Sequence, residues 1–187
     1  MNFKKITLKT HRLTIRPLST EDYHAFYRVY SDPEAMKYWS SPPHKDEDQT
    51  KSHINNAIKN CDEGSSLQLA ITLKSNDELI GTLSLFNIHE ESRRAEIGYI
   101  LASSFWGQGI MSEALSSFIK FCFETLQFNR LEADIDPDNQ ASSKLLKKHG
   151  FNVEGLLKER WIVNGKVTDS EIYGLLKSNY CLKTQSK

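Results

Sequence analysis

The sequence predicts an α/β fold in a single domain over residues 8–180, and three observations predict it. Leu13, Ile15 and Leu18 alternate with polar residues, the period of a half-buried strand, and further short strand-like runs are bounded by turn residues. From Ile110 to Phe123 apolar residues recur at intervals of three and four, the period of a helix. The two kinds of segment interleave along the chain, with no repeat, linker or low-complexity run between them, which is the pattern of mixed layers around one core.

The elements follow in order. Pro17 stops the first strand, and Ser19 or Thr20 ahead of Glu21 and Asp22 starts a helix whose apolar positions are Tyr23, Phe26, Tyr27 and Tyr30. After the break at "SDPEAMKYWSSPPH", residues 46–61 form a polar helix with Ile54, Ala57, Ile58 and Cys61 as its stripe. "SLQLAITLK" and "ELIGTLSLFNI" make a hairpin about Ser75-Asn76-Asp77, and "RRAEIGYILA" completes an antiparallel meander. The helix from Ile110 is the most periodic segment of the chain. "RLEADID" is a short strand, and "PDNQASSKLLKKHG" a helix capped by Asp138 or Asn139 and closed by Gly150. Two last strands turn at Asn164-Gly165.

Lys plus Arg and Asp plus Glu each number 24, so no overall field draws the protein to nucleic acid or to an anionic membrane. Cys61, Cys122 and Cys181 are odd in number and far apart, as expected of free thiols in a reducing compartment. No signal peptide and no membrane-length apolar run is present, and a soluble cytoplasmic protein is expected. The six histidines lack the spacing of a zinc site, and no metal is expected. Cys122 falls on the apolar stripe of its helix, a core position rather than a nucleophile.

"SFWGQGIMSEAL", residues 104–115, places Gly107 and Gly109 just before the periodic helix. Such glycines let main-chain amides approach an anion at the positive end of a helix, and equally they serve a tight turn that needs positive φ. A Walker loop is excluded, because Ile110-Met111-Ser112 follows Gly109 where a lysine is required. A dinucleotide fingerprint has Ser112 at its third small position, and the chain beyond is too short for the rest of a doubly wound sheet.

"AEIGYILASSFWGQGIMSEAL" followed by "LEADIDPDNQASSKLLKKHGF" resembles the GNAT superfamily of acetyl-CoA-dependent N-acetyltransferases, in particular its Rim-type branch that acetylates ribosomal-protein N-termini. The likeness runs from Leu13 to Tyr173. It departs from the superfamily's loop pattern at Trp106, which is common in the Rim-type branch, and at Met111, which replaces a small residue.

The resemblance implies a mixed, largely antiparallel sheet of about seven strands flanked by helices and splayed between the fourth and fifth, with acetyl-CoA as cosubstrate. It assigns cofactor binding to Ile100, Leu101, Trp106, Gly107, Gln108, Gly109, Ile110, Met111, Asn139 and Ser142, the amides from Gln108 to Met111 cradling the pyrophosphate. Glu96 is then the base that takes a proton from the acceptor amine, and Ser142 a hydrogen bond to the leaving thiolate. Read without the resemblance, Glu96 is a solvated strand residue paired with Arg93 or Arg94, Asn139 a helix cap, and Tyr173 a core residue. The resemblance also implies that Tyr38, Trp39 and Trp161 border the acceptor, together with Glu96. The expected acceptor is a protein N-terminal α-amine, with a small amine such as a polyamine, antibiotic or amino-acid-like toxin as the alternative. A non-catalytic acyl-CoA sensor is the non-enzyme reading, and monomer and homodimer both remain open.

Overall fold

The computed structural model describes Phe3 and residues 6–180; Cys181 lies outside the described residues. The elements are β1 (Leu8–Lys9), β2 (Leu13–Pro17), α1 (Tyr23–Tyr30), α2 (Glu47–Glu63), β3 (Leu67–Leu73), β4 (Leu79–His89), β5 (Arg94–Leu101), α3 (Ile110–Lys120), β6 (Arg130–Ile135), α4 (Gln140–His149), β7 (Asn152–Val163) and β8 (Lys166–Leu176). The eight strands are hydrogen-bonded neighbours in the order β1-β2-β3-β4-β5-β6-β8-β7. This is one strand more than expected, because Leu8–Lys9 pairs with Thr14–Ile15. A two-residue strand is too short to carry a period of its own.

Two compact units share these elements. The first holds the described residues of Met1–Lys37 together with Pro43–Phe86 and Gly98–Ile119; the second holds Tyr38–Pro42, Asn87–Ile97 and the described residues from Lys120 onward. Strand β5 passes from the second into the first.

In the first unit β2, β3 and β4 are antiparallel, with Ile15 opposite Ile71 and Leu69 opposite Leu83. These four side chains are fully buried. Burying each stabilises the fold by about 1.5–3 kcal/mol. Helix α1 is entered through a capping box: Ser19 Oγ accepts from the Glu21 amide, and Asp22 accepts from the Ser19 amide at 2.8 Å. Asp22 is itself buried, which its ion pair with Arg16 at 2.8 Å makes tolerable. The buried stripe of α1 is Phe26, Val29 and Tyr30, narrower than the tyrosines suggest. Tyr27 leans outward and its hydroxyl donates to the Lys45 carbonyl at 3.4 Å.

Helix α2 is capped by Asp46, which accepts from the Gln49 amide at 2.8 Å, and is closed by Gly64 at φ 73°. Its buried residues are Thr50, Ile54 and Ala57, whereas Ile58 and Cys61 are half-buried. The stripe therefore begins one turn earlier than the apolar pattern indicates. Thr50 can lie inside because its hydroxyl is bonded to His44 Nδ1 at 2.8 Å, which removes the cost of burying it.

In the second unit β6 and β8 are antiparallel, β8 and β7 form the terminal hairpin, and β5 pairs parallel to β6. The β5–β6 register runs from Arg94↔Arg130 to Glu96↔Glu132, three pairs in all. Asn164 and Gly165, at φ 50° and 79°, make the mirror-image turn that their identities specify. The helical run that starts with α3 widens to a π-helical stretch at Phe121–Thr125, with Leu126 N–H reaching back to the Phe121 carbonyl at 3.0 Å. Phe121, Cys122 and Phe123 are all buried, and three consecutive inward residues are more than an α-helical turn can direct to one side.

Candidate active site

The glycine-bearing loop lies within the first unit. A short 3₁₀ turn at Ser103–Phe105 leads to Trp106 in extended conformation, then Gly107 and Gly109 take φ of 72° and 73°, and α3 begins at Ile110. Both glycines thus occupy the left-handed region that other residues avoid. A side chain at Gly107 would meet nothing within 4 Å, and at Gly109 the nearest atom is Nη2 of Arg12 at 3.8 Å. The loop is an open surface at a helix start, where the first amides of α3 have no intrahelical acceptor, and it fits a diphosphate.

Three side chains, Trp106, Gln108 and Arg12, hold the loop in shape. Trp106, half exposed, donates from Nε1 to the Leu101 carbonyl at 2.9 Å and so fastens the loop to the end of β5. Gln108 Nε2 donates to the Ser104 carbonyl at 3.2 Å. Arg12 donates from Nη1 to the Gln108 carbonyl at 2.9 Å and from Nε to Glu113 at 2.7 Å. Glu113, in the first turn of α3, also accepts from the Arg12 amide at 2.8 Å and the Thr10 hydroxyl at 2.6 Å. Partial burial would raise its pKa, but these donors and the guanidinium outweigh it and hold the carboxyl at about 2. Arg12 and Glu113 are 101 positions apart, so no spacing in the sequence marks them as partners beside the loop. Ile110 is buried beneath the loop, Met111 is half-buried, and Ile100 and Leu101 are buried on β5.

The second unit carries Glu96, half-buried on β5. Its Oε2 accepts from Nδ2 of Asn87 at 2.9 Å. Burial pushes its pKa up; Asn87 opposes that, Asp134 and Glu132 reinforce it, and Arg160 opposes it. Neither Arg93 nor Arg94 pairs with Glu96, the partnership a purely solvated residue was expected to make. Arg94 goes to Glu132 at 3.2 Å.

Asn139 caps α4, its side chain accepting from the Ser142 amide at 3.1 Å. Ser142 is half-buried in the first turn. Tyr173 is fully buried, as a core residue should be, with its hydroxyl bonded to Ser143 Oγ and Glu171, both at 2.8 Å. Tyr38 and Trp39 are half-buried, and Trp161 is 40 % exposed on β7 with the Arg160 guanidinium 5.5 Å above its ring. The structure thus brings Ile100, Leu101 and Trp106 to Met111 together in one unit, and holds Glu96, Asn139, Ser142, Tyr38, Trp39 and Trp161 in the other. Strand β5 links the two groups.

A mixed sheet, a glycine-bearing loop open at a helix start and a half-buried carboxylate with a raised pKa on the strand before that loop are features that an acyltransferase drawing on a phosphate-bearing carrier would use. Residues 12–152 match the acetyltransferase (GNAT) domain, and the chain belongs to that family. Over 174 residues it is 38 % identical to the uncharacterized N-acetyltransferase p20 of Bacillus licheniformis, covering 93 % of this chain and 98 % of that one. The structure of RimL, a ribosomal alpha-N-protein acetyltransferase in complex with coenzyme A, superposes with a TM-score of 0.83 at 25 % identity, covering 91 % of this chain and 98 % of that one. Spermidine N-acetyltransferase from Vibrio cholerae, in complex with coenzyme A and spermine, has the same fold, with a TM-score of 0.81 at 24 % identity and coverage of 91 % and 98 %. The protein is an acetyl-CoA-dependent N-acetyltransferase.

Proposed function

We propose that the enzyme acetylates the α-amine of a protein N-terminus. The observation that carries this reading is Glu96, a carboxylate kept basic by burial and by neighbouring acids. An α-ammonium has a pKa of about 7.7–8.0 against about 10.4 for a lysine-type amine, so a raised carboxylate suffices for the former far more readily. The other acids of this face are committed to arginines: Glu132 to Arg94 and Arg130, and Asp134 to Arg160. A polyamine cleft needs carboxylates free to meet several ammonium groups, and those pairings speak against one.

In the reaction Glu96 takes a proton from the acceptor's ammonium, directly or through water. The freed nitrogen forms its bond to the acetyl carbon as the carbon–sulfur bond breaks; the departing thiolate is stabilised by a hydrogen bond from Ser142 and takes up the second proton, which the now positively charged nitrogen sheds, so that a neutral amide and free coenzyme A result. Amides from Gln108 to Met111 hold the pyrophosphate, and the main chain at Ile100 faces the acetyl group. Trp106 and Asn139 keep loop and helix in place, while Tyr38, Trp39 and Trp161 wall the acceptor. Free thiols at Cys61 and Cys122, and the lack among the described residues of a helix long and apolar enough to cross a membrane, support a cytoplasmic site of action.

Coenzyme A release from acetyl-CoA, measured against peptides with free N-termini and against spermine, tests the acceptor. Turnover of spermine but of no peptide would replace this reading with the polyamine one. Glu96→Gln should bind acetyl-CoA as the native enzyme does, by thermal shift, and transfer at least about a hundredfold more slowly, the usual range for a lost general base.

A further inference from the structure

We propose that Asn87 is the positioning residue for Glu96, an assignment that rests on the reading of Glu96 as base. Asn87 stands within β4, two residues before the strand ends, yet its φ is +49°. A left-handed residue inside a strand is strained, and asparagine is among the few side chains that tolerate it. Such irregularities redirect a side chain from the alternation of the strand. Here the redirected amide meets Oε2 of Glu96 at 2.9 Å.

The charges around Glu96 explain why the donor is an amide. From β6, Glu132 and Asp134 face it with like charge, and from β7 Arg160 faces it with opposite charge. Arg160 is held by Asp134 at 2.9 Å, Arg94 and Arg130 are held by Glu132 at 3.2 and 2.7 Å, and Arg130 reaches on to Glu154. Each cation of the face is thereby committed to another acid. A guanidinium bonded to Glu96 would orient the carboxylate but depress its pKa and spoil it as a base. A neutral N–H orients it at much smaller cost in basicity. The Asn87 contact engages Oε2, and the proton-accepting role falls to the other oxygen, Oε1.

Asn87→Gly tests the role while keeping the backbone, because glycine accepts φ of +49° without strain. With peptide N-termini and spermine as probes, it should lower kcat about tenfold and move the acid limb of the pH–rate profile up by about one unit, the size of a lost hydrogen bond to a charged acceptor. KM for acetyl-CoA should not change. Adding Asn87→Gly to Glu96→Gln should slow the enzyme no further than Glu96→Gln alone. In the resting enzyme the Asn87 side-chain amide resonances, followed by NMR against pH, should titrate with Glu96 and stop doing so in Glu96→Gln. An Asn87→Gly enzyme with the native kcat and acid limb overturns the positioning role and leaves Glu96 as base. A Glu96→Gln enzyme with native turnover overturns both. Amide resonances that titrate unchanged in Glu96→Gln show that Asn87 answers to another group, and overturn the proposal alone.

Discussion

Gly81 sits in β4 where a Cβ would collide with the Ile100 carbonyl oxygen and lie 3.1 Å from Leu101 Cα. Both obstacles are backbone, so β5 itself has to move to admit a side chain. Gly81→Ala should therefore cost about 1–3 kcal/mol, the range for overpacking, and be read as a lowered Tm. Because Ile100 and Leu101 are the displaced residues, KM for acetyl-CoA should rise as well. Little of this could be read from the chain. "ELIGTLSL" shows a glycine inside a strand, which signals close approach but not what approaches. Gly107 and Gly109 were more legible, because two glycines just before a helix start signal the positive φ that both adopt. Asn87 and Glu159, both at positive φ, were not, since neither residue type announces a kink inside a strand.

Among the elements, α2 is tied down by a directional chain of hydrogen bonds. Gln68 donates through Nε2 to the Tyr30 hydroxyl at 2.8 Å, which leaves its carbonyl oxygen to accept from His53 Nε2 at 3.1 Å. A neutral His53 then accepts at Nδ1 from His44 Nε2 at 3.4 Å, and His44 in turn accepts at Nδ1 from Thr50. The tautomers follow from the acceptors available. Protonating His53 would set two N–H groups against each other. Burial lowers the pKa of both histidines, and for His44 the charge of His53 adds to it. Groups whose folded pKa lies below 6.5 stay neutral while the unfolded chain takes up protons, so stability is complete above pH 6.5 and is lost as pH falls below it. Urea midpoints should drop between pH 7.5 and 5.5, and drop less in His53→Gln; an equal fall in that variant would detach the effect from this chain. Caps and turns such as Ser19, Gly150 and Asn164-Gly165 were readable because their cause is local. The histidine chain and the π-helical stretch at Phe121 were not, because they depend on what packs around them.

At the scale of the whole molecule, seven of the eight large apolar side chains that are exposed among the described residues lie on the β7–β8 hairpin: Val153, Leu156, Leu157, Trp161, Ile162, Val167 and Leu176. The chain has no net charge to hold copies apart at neutral pH. Ile162 is 72 % exposed, and Ile162→Lys should lower light scattering of concentrated enzyme near pH 7 with no fall in Tm. A fall in Tm would mean that the side chain supports the hairpin. Fold class and the ordering of elements were evident from periodicity because each element declares itself within its own span. Partnerships across the chain were hidden for the opposite reason.

The grip of Arg12 on Gln108 and Glu113 imposes an order on assembly. During synthesis the N-terminal arginine emerges first and has to wait for roughly a hundred further residues before its carboxylate partner exists. The glycine turn ahead of α3 gains this brace only after that early segment has come home to it, so a nascent enzyme shapes the loop late, and a truncation removing Arg12 would leave a folded helix with a slack mouth.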